Sequence, residues 1–272
     1  MKGADLLKFI LSLIVVWIHT GTATGFLGWV VPVFFVLSGF FLSRRIIIDR
    51  DKATTAVCAW LGKTLRMYLI WTAIFIPYAA IGFWKDGLPI LKSIAIWLRN
   101  ILFVGENYLS WPLWYLLGLL QAGAIIWLVE KLQFPLWVYP LMAVILGVLP
   151  HIVSLDSIHA YTLVFKHTSN GIFIGFPCMV IGGILKFIFP QIQGWNKDSR
   201  YFRPAITLRF FSIHVYLTHM LWVGCLKLTT SIPRGVLLWA LTCLAALITG
   251  CLLMPIPNTQ KFLYGRSFFN PD

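Results

Sequence analysis

Long apolar segments that recur from one end of the chain to the other constrain its fold more than any other feature. Of the 272 residues, 59% are hydrophobic and only 11% carry a charge, whereas soluble domains average about 25% charged residues. A helix of roughly 20 apolar residues is long enough to cross the hydrocarbon core of a bilayer. The sequence therefore predicts an all-α protein, a polytopic bundle of transmembrane helices, without a soluble domain.

Eight segments have the length and composition of membrane spans. Their predicted bounds are about 5–22, 26–43, 66–84, 109–129, 134–152, 170–189, 205–227 and 234–256. If the N-terminus is inside, fourteen Lys and Arg residues lie on the inner side and six on the outer side, which favours an N-in and C-in topology. We therefore predict a single integral-membrane domain over residues 5–256. The net charge of +13 then reflects topology, and we expect the bilayer rather than nucleic acid as a partner.

Three local patterns qualify this prediction. The apolar stretch 9–18 has the length of a signal-peptide core, but Lys8 precedes it and further spans follow at once, so we expect it to be retained. Residues 88–103 carry apolar side chains on one helical face, which fits either an amphipathic helix on the outer surface or an ordinary connecting helix. The five cysteines show no CxxC spacing, and we expect neither a metal site nor a disulfide framework.

The first predicted span carries one polar stripe. Lys8 and His19 are 11 positions apart, which places them on one helical face, about 16 Å apart along the axis, and Asp5 and Ser12 share that face. Ionisable groups inside a bilayer are a functional hypothesis by default. The alternatives are a Lys8 that reaches back to the membrane surface or pairs with Asp5, and a His19 that is a hydrogen-bonded interface residue. Asp5 is too far along the helix to orient the His19 imidazole.

A second polar stripe lies in the seventh predicted span. Ser212, Tyr216 and His219 follow i, i+4, i+7 spacing, Arg209 lies about 60° away, and His214 points elsewhere. Such side chains either belong to a site or only hydrogen-bond helices together. The spacing fits both interpretations.

The segment "VPVFFVLSGFFLSRR" is the other local peculiarity. Ser38 and Gly39 form a small notch that favours close approach of another helix. Arg44 and Arg45 end the second span on the inner side. The basic residues from there to Arg66 fit either the positive-inside rule or a cytosolic ligand with several phosphates.

Together these motifs resemble acyltransferase family 3, the integral-membrane acyltransferases that modify surface sugars and other hydroxyl acceptors. In that family the first span has an arginine, ten residues and a histidine, and Lys8 and His19 keep the spacing. The further matches, in order, are an FFxxSGF pattern (Phe34, Phe35, Ser38, Gly39, Phe40), an RxxR motif (Lys63 to Arg66), an LWYL segment (Leu113, Trp114, Tyr115, Leu116) and an S-x-x-x-Y-x-x-H pattern (Ser212, Tyr216, His219).

The chain departs from the family pattern in three ways. Lysine replaces arginine at position 8, which keeps the charge but loses the planar guanidinium fork. Lysine also replaces the first arginine of RxxR, at position 63. The family usually has ten spans and this chain has eight predicted ones, the difference being located at the connection 190–204.

The resemblance implies transfer of an acyl group, typically acetyl, from acyl-CoA to a hydroxyl of a carbohydrate or glycolipid, as in polysaccharide O-acetylation at a bacterial cell membrane. His19 is then the general base, assisted by Lys8, because a neutral imidazole suits proton transfer near working pH. The expected donor-binding residues are Lys63, Arg66, Arg44 and Arg45, and the expected supporting residues are Ser38, Tyr115, Arg209, Ser212, Tyr216 and His219. Acyl-CoA is a co-substrate, and no bound cofactor or metal is expected. The alternatives are a catalytically degenerate family member and a transporter or flippase.

Overall fold

Helices account for all the regular structure in the part of the chain that the structure, a computed structural model, describes: residues 2–22, 25–48, 51–165, 170–189 and 203–269. Within these ranges there are eleven α-helices and no strand, as the composition predicts. Their bounds are α1 Lys2–Thr20, α2 Val30–Ile48, α3 Ala53–Lys85, α4 Ile90–Arg99, α5 Leu113–Lys131, α6 Val138–Ile152, α7 His159–Phe165, α8 Phe176–Ile188, α9 Arg203–Thr229, α10 Val236–Leu253 and α11 Pro257–Tyr264.

Six of the eight predicted spans correspond to helical segments long and apolar enough to cross a membrane. The fifth predicted span, 134–152, contains only the 15-residue α6, which is about 22 Å long and shorter than a hydrocarbon core of about 30 Å. The seventh, 205–227, lies within the 27-residue α9, whose basic residues and histidines lower its hydropathy. The count of eight, the N-in and C-in orientation and the single domain over 5–256 therefore stay predictions. Most of the connection 190–204 lies outside the described residues.

Helix α3 is much longer than predicted. It covers 33 residues, or about 50 Å, because the stretch before the predicted third span at 66–84 continues the same helix. A hydrocarbon core of about 30 Å holds only part of it. Lys63 and Arg66 thus lie within a continuous helix, in its N-terminal half, and not in a loop before it.

One compact unit consists of residues 1–31 and 190–272. Its core is formed where α1, α9 and α10 meet, around Val16, Val215 and Ala246. The Trp239 indole N–H donates to the carbonyl of Leu13 at 3.0 Å, which ties α10 to α1 inside the unit. At the end of α1, the carbonyl of Thr20 accepts from the Gly235 amide at 2.7 Å. The last turn of α1 therefore lies beside the first turn of α10, and these two helices run antiparallel.

The other compact unit consists of residues 32–189, and it is packed through glycines. A Cβ on Gly39 of α2 would clash with the backbone carbonyl of Met179 on α8. A Cβ on Gly182 of α8 would likewise clash with the carbonyl of Val36 on α2. Small residues allow helix backbones to approach closely where the hydrophobic effect does not drive association. The predicted notch at Ser38 and Gly39 is therefore confirmed, and α8 supplies a matching one.

Two π-helical turns in this second unit are joined by one side chain. The turns span Asn100–Val104 and Gly171–Gly175. Gln121 of α5 donates to the carbonyl of Phe103 at 3.2 Å and accepts from the Gly171 amide at 3.0 Å. A π turn leaves backbone groups out of the regular helical pattern, and the amide of Gln121 satisfies one group from each turn.

Helix α4 shows the amphipathic pattern predicted for 88–103. Its apolar side chains Ile90, Leu91, Ile94 and Leu98 are exposed, whereas Ser93 is buried and donates to the carbonyl of Pro89. The helix therefore turns its apolar residues away from the protein. This exposure fits a helix that lies against lipid.

We predict that Gly39→Ala destabilises the protein by about 1–3 kcal/mol, the usual effect of forcing an extra carbon into a packed interface. The added methyl group must push α8 away from α2. Thermal unfolding in detergent measures the effect. Gly62→Ala is the matched control, because Gly62 is exposed on α3 with open space around its Cα, and alanine there favours the helix by up to about 1 kcal/mol. Equal stability of the two variants would contradict the close packing.

Candidate active site

The two polar stripes predicted from the sequence face each other within the first unit. Near the start of both helices, the Arg209 guanidinium of α9 donates two hydrogen bonds to the Asp5 carboxylate of α1, at 3.1 and 2.8 Å. The Asp5 side chain is only 5% exposed and that of Arg209 27%. A two-pronged charge-assisted pair of this kind fixes geometry as well as charge. It sets the register of α1 against α9.

At the other end of the stripes, two imidazoles meet. The rings of His19 on α1 and His219 on α9 are nearly parallel, at 23°, with 5.2 Å between their centroids. His219 is fully buried and His19 is partly exposed. Because Asp5 pairs with Arg209 near the helix starts and His19 meets His219 towards the ends, α1 and α9 run parallel.

The backbone defines the tautomer of His219. Its Nδ1 lies 2.7 Å from the carbonyl of Tyr216 and 3.2 Å from that of Val215. Carbonyl oxygens only accept hydrogen bonds, so Nδ1 carries the proton and Nε2 has a lone pair. Among the described residues no group hydrogen-bonds to this buried Nε2. A buried polar atom without a partner is uncommon and costly, and it needs a physical explanation.

The remaining residues of the two stripes surround these pairs. Ser12 is fully buried and donates to the carbonyl of Phe9 at 2.7 Å. Ser212 and Tyr216 are also buried, and the Tyr216 ring stands edge-on to His219 at 6.2 Å between centroids. Lys8 is partly exposed, and the charged groups close enough to influence it are Asp5, Arg209 and Arg266. The stripes therefore form the interior of this unit, as their periodicity predicts.

His214 lies outside this arrangement, as its position on the helix predicts. Its Nδ1 is 2.5 Å from the Tyr264 hydroxyl and its Nε2 3.0 Å from the Thr249 hydroxyl. The Thr249 hydroxyl gives its own proton to a backbone carbonyl, so it accepts from Nε2, and the Nδ1 of a neutral ring then accepts from the Tyr264 hydroxyl. His214 Nε2 then donates to Thr249, which itself donates to the carbonyl of Ala245. Both nitrogens of His214 are satisfied, with the opposite tautomer from His219.

Ser38 and Tyr115, two predicted supporting residues, meet within the second unit. Their hydroxyls are 2.8 Å apart, and the Tyr115 hydroxyl also donates to the carbonyl of Phe34 at 3.3 Å. The FFxxSGF and LWYL segments are thus connected by a partly buried hydrogen bond between α2 and α5. Phe35 reinforces the contact, with its ring edge-on to Tyr115 at 4.8 Å.

Among the residues that the structure describes, the predicted donor-binding residues do not form a cluster. Lys63 and Arg66 are exposed on α3 and Arg44 is partly exposed on α2; no hydrogen bond or ion pair among the described residues joins the three. The side chain of Arg45 lies outside the described part of the structure. Prediction from sequence missed Lys186 of α8, a nearly buried cation over the Phe40 ring at 5.2 Å. A lysine inside an apolar span is the available signal, although the positive-inside rule alone also accounts for it.

Metal ligands do not gather in the described ranges: no three His, Cys, Asp or Glu side chains there lie close enough together to hold an ion. The chemistry available in the first unit therefore consists of two adjacent imidazoles, one carrying an open lone pair, and a charged group of Lys8, Asp5 and Arg209 at the opposite end of the same helix pair. Imidazoles are the usual general bases near neutral pH.

This architecture is that of a multi-pass helical membrane protein with an imidazole site between its first helix and a late one. The chain belongs to acyltransferase family 3, because residues 1–263 match the family's acyltransferase domain. It is also 29% identical over 249 residues to a protein from Enterococcus faecalis named amino-acid racemase. That alignment covers 78% of this chain and 32% of the relative, so the chain spans about a third of the length of the curated relative it matches. No solved structure matches it significantly.

We predict that Arg209→Met destabilises the protein by leaving the Asp5 carboxylate buried without its cation. Breaking a buried ion pair costs about 3–5 kcal/mol, and we expect the lower end because the Arg209 side chain is 27% exposed. The double variant Asp5→Leu/Arg209→Met should recover part of the loss, since neither member of the pair then stays buried alone, while Lys8 loses the attraction of Asp5.

Thermal unfolding in detergent is the measurement for this pair. Lys227→Met, which removes an exposed cation from the same helix, is the control and should change stability by no more than about 0.5 kcal/mol. A double variant as unstable as Arg209→Met would show that the ion pair does not hold the two helices together.

Proposed function

We propose that this member of acyltransferase family 3 transfers an acyl group, acetyl in the simplest case, from acyl-CoA to a hydroxyl of a carbohydrate or glycolipid. The proposed location is the cell membrane of a bacterium. The observation that carries the proposal is the meeting of His19 and His219 at one end of two paired polar stripes. A helix that faces lipid on all sides does not carry a polar stripe at low cost. The stripe of α1 is instead buried against α9, which indicates a role in the interior of the unit.

In the proposed reaction His19 is the general base. Its imidazole removes the proton from the acceptor hydroxyl as the hydroxyl oxygen attacks the thioester carbonyl. The O–H bond and the C–S bond break, and an ester C–O bond forms. The departing CoA thiolate takes up a proton, and the imidazolium of His19 is its source, which restores the base. Imidazole is the side chain most often used as a general base near neutral pH.

Lys8 is proposed to attract the anionic donor within the first unit. Lys8 is about 16 Å along the α1 axis from His19, and it lies in a group with Arg209 and Arg266, where positive charge outweighs that of Asp5. Lys63, Arg66, Arg44 and Arg45 are proposed to contact the CoA phosphates. The exposure of Lys63 and Arg66 supports this role because a soluble donor can reach them.

Release of free CoA by the detergent-purified protein tests the function directly. We expect a thiol signal when acetyl-CoA is supplied together with glycans or glycolipids extracted from the source cells, and a lower rate without acceptor. Mass spectrometry of the acceptor should show the mass of one acetyl group added. Absence of CoA release with every acceptor, in a protein that still binds CoA, would reject acyl transfer.

We predict that His19→Ala reduces kcat by about 10²–10⁴-fold, the usual contribution of a positioned general base. The CoA-release assay measures it, and acetyl-CoA binding should be unchanged. His151→Ala is the control, because His151 is an exposed histidine of the second unit and its loss should leave kcat unaltered. Acyl transfer at the normal rate by His19→Ala would defeat the assignment of the base.

We also predict that Lys8→Gln raises the KM for acetyl-CoA by about 10–100-fold, the range for a lost charge-assisted hydrogen bond, while Lys8→Arg retains activity.

Lys63→Gln/Arg66→Gln should raise the KM for acetyl-CoA only several-fold, because exposed pairs contribute about 0.2–1 kcal/mol each. Added salt should reduce this smaller difference by screening it. Lys85→Gln, at the opposite end of α3, is the control. An unchanged KM in Lys8→Gln would remove Lys8 from the donor site.

A catalytically degenerate member that only binds ligands, or a transporter, is the second candidate. The observations that favour it are the departures from the family pattern, with lysine instead of arginine at positions 8 and 63 and fewer predicted spans than the family usually has. CoA binding without CoA release would support the binding protein. Movement of a labelled substrate across proteoliposomes, with no covalent change, would support the transporter.

A further inference from the structure

Within the second unit, one buried cation has no anionic partner among the described residues. Lys186 lies in the last turn of α8 and is only 4% exposed. The charged group close enough to influence it is a second cation, Arg44 of α2. Burying a charge without a counterion is costly, and buried charges in proteins are normally paired. The burial of Lys186 beside another cation therefore needs a physical explanation.

Lys186 faces α2 and not lipid. Its neighbours Leu185 and Phe187 are exposed, whereas Gly182, one turn before Lys186, touches the backbone of α2. A lysine that only marks the membrane surface extends its ammonium towards water. The positive-inside rule thus accounts for a lysine near this end of the helix but not for its burial.

The side chains of α2 that receive Lys186 are Phe40 and Arg44. The Lys186 ammonium lies over the Phe40 ring, 5.2 Å from its centroid. Arg44 follows Phe40 by four positions, so the two side chains are on the same face of α2. The aromatic face attracts the ammonium but carries no net negative charge. Both positive charges are therefore still present at this surface of α2 and α8.

Helices α2 and α8 end on the same side of the unit. Phe35 lies next to Gly175 near their starts, and Ser43 lies next to Gly183. Both steps are eight positions in the same direction, so the two helices run parallel. The predicted topology places these C-terminal ends on the inner side of the membrane, where a soluble nucleotide has access to them.

The chemistry of the two cations favours a phosphate group. Two like charges side by side repel each other, and an anion with two negative charges removes that repulsion. A lysine ammonium is a point charge that commonly binds phosphate, and an arginine guanidinium donates two parallel hydrogen bonds to phosphate oxygens. One group of each kind, on neighbouring helices that are held in close contact, is an arrangement suited to that ligand.

We propose, on the basis of the acyl-transfer function above, that Lys186 and Arg44 form a phosphate-binding site at the ends of α2 and α8, and that a phosphate of acyl-CoA occupies it. Phe40, the last residue of the FFxxSGF segment, then holds the Lys186 ammonium in place at this site. The phosphates do not change during acyl transfer, so the contact is equally strong in the ground state and the transition state. Such uniform binding lowers KM and leaves kcat unaltered.

Binding of acetyl-CoA to the detergent-purified protein tests the site without turnover. We expect Lys186→Met and Arg44→Met each to raise the Kd by about 10–100-fold, the range for a lost charge-assisted hydrogen bond. In the CoA-release assay the KM should rise by the same factor, with kcat unchanged. S-acetylpantetheine has the thioester but no phosphate, and Lys186→Met should bind it as the wild-type protein does.

Lys131→Met is the matched control. Lys131 is an exposed lysine in the last turn of α5, and its ammonium lies over the Trp127 ring at 4.7 Å. The substitution removes the same charge and the same type of aromatic contact from the same unit. We expect the Kd for acetyl-CoA to stay within about twofold of the wild-type value, as for a surface substitution.

Thermal unfolding separates ligand binding from a purely structural role. Without ligand, Lys186→Met should be at least as stable as the wild-type protein, because it removes a buried charge that has no counterion. Acetyl-CoA should then raise the unfolding temperature of the wild-type protein more than that of the variant. A less stable Lys186→Met with unchanged affinity for acetyl-CoA would show that the lysine only packs, and would overturn the proposal.

Three further outcomes are decisive. Equal loss of affinity for acetyl-CoA and S-acetylpantetheine in Lys186→Met overturns the phosphate site. Native mass spectrometry with phosphatidylglycerol tests the other source of phosphate: if Lys186→Met loses this lipid but keeps acetyl-CoA, the site binds a lipid headgroup and the donor assignment is wrong. A wild-type protein that binds acetyl-CoA through Lys186 but transfers no acyl group rejects the proposed function, while the phosphate site stands.

Discussion

The ion pair between Asp5 and Arg209 is the interaction on which the first unit depends. A lone charge inside a bilayer is costly, and pairing it with an opposite charge reduces that cost. Because α1 and α9 each carry one member of the ion pair, the polar face of each helix is more stable against the other helix than against lipid. The pair therefore selects the partner helix and, through its two hydrogen bonds, the register. Once that register is set, the parallel course of the helices brings His19 to His219, and the site follows from the ion pair.

The two units are stabilised by different means. In the first, polar groups on α1 and α9 find one another, and the apolar contacts around Val16 and Val215 fill the remaining interface. In the second, α2 and α8 touch through glycines on both helices, and the hydrogen bonds of Tyr115 on α5 with Ser38 and Phe34 of α2 add direction. Polar pairing fixes which side chains meet, whereas backbone contact between small residues fixes how close two helices come. The proposed chemistry lies in the unit where side-chain identity decides the packing.

Much of this arrangement was predictable from the sequence, for a physical reason. Backbone groups in lipid must be satisfied within the segment, so apolar stretches become helices, and a period of 3.6 then defines each polar stripe. The family resemblance added the roles of the motifs, and the match over residues 1–263 confirms the family.

The partner of each polar stripe was not predictable, since Asp5 can pair with Lys8 at i+3 as well as with Arg209 across the unit. Nor was the tautomer of His219, which depends on carbonyls of its own helix. Nor were the 33-residue length of α3 and the 15-residue length of α6 predictable, because hydropathy alone does not define where a helix begins and ends.

The parallel pairing of α1 with α9 has a consequence for biosynthesis. Asp5 and Arg209 are separated by 204 positions, and chains grow at about 5–20 residues per second. The first helix therefore exists for about 10–40 seconds before its partner has been synthesised. During that interval its carboxylate must remain at the membrane surface, in water or beside Lys8, because the cation that later holds it in the interior is not yet made. The completed first unit is thus the last part of this chain to assemble, and a truncated nascent chain carries an N-terminal helix that cannot yet be buried.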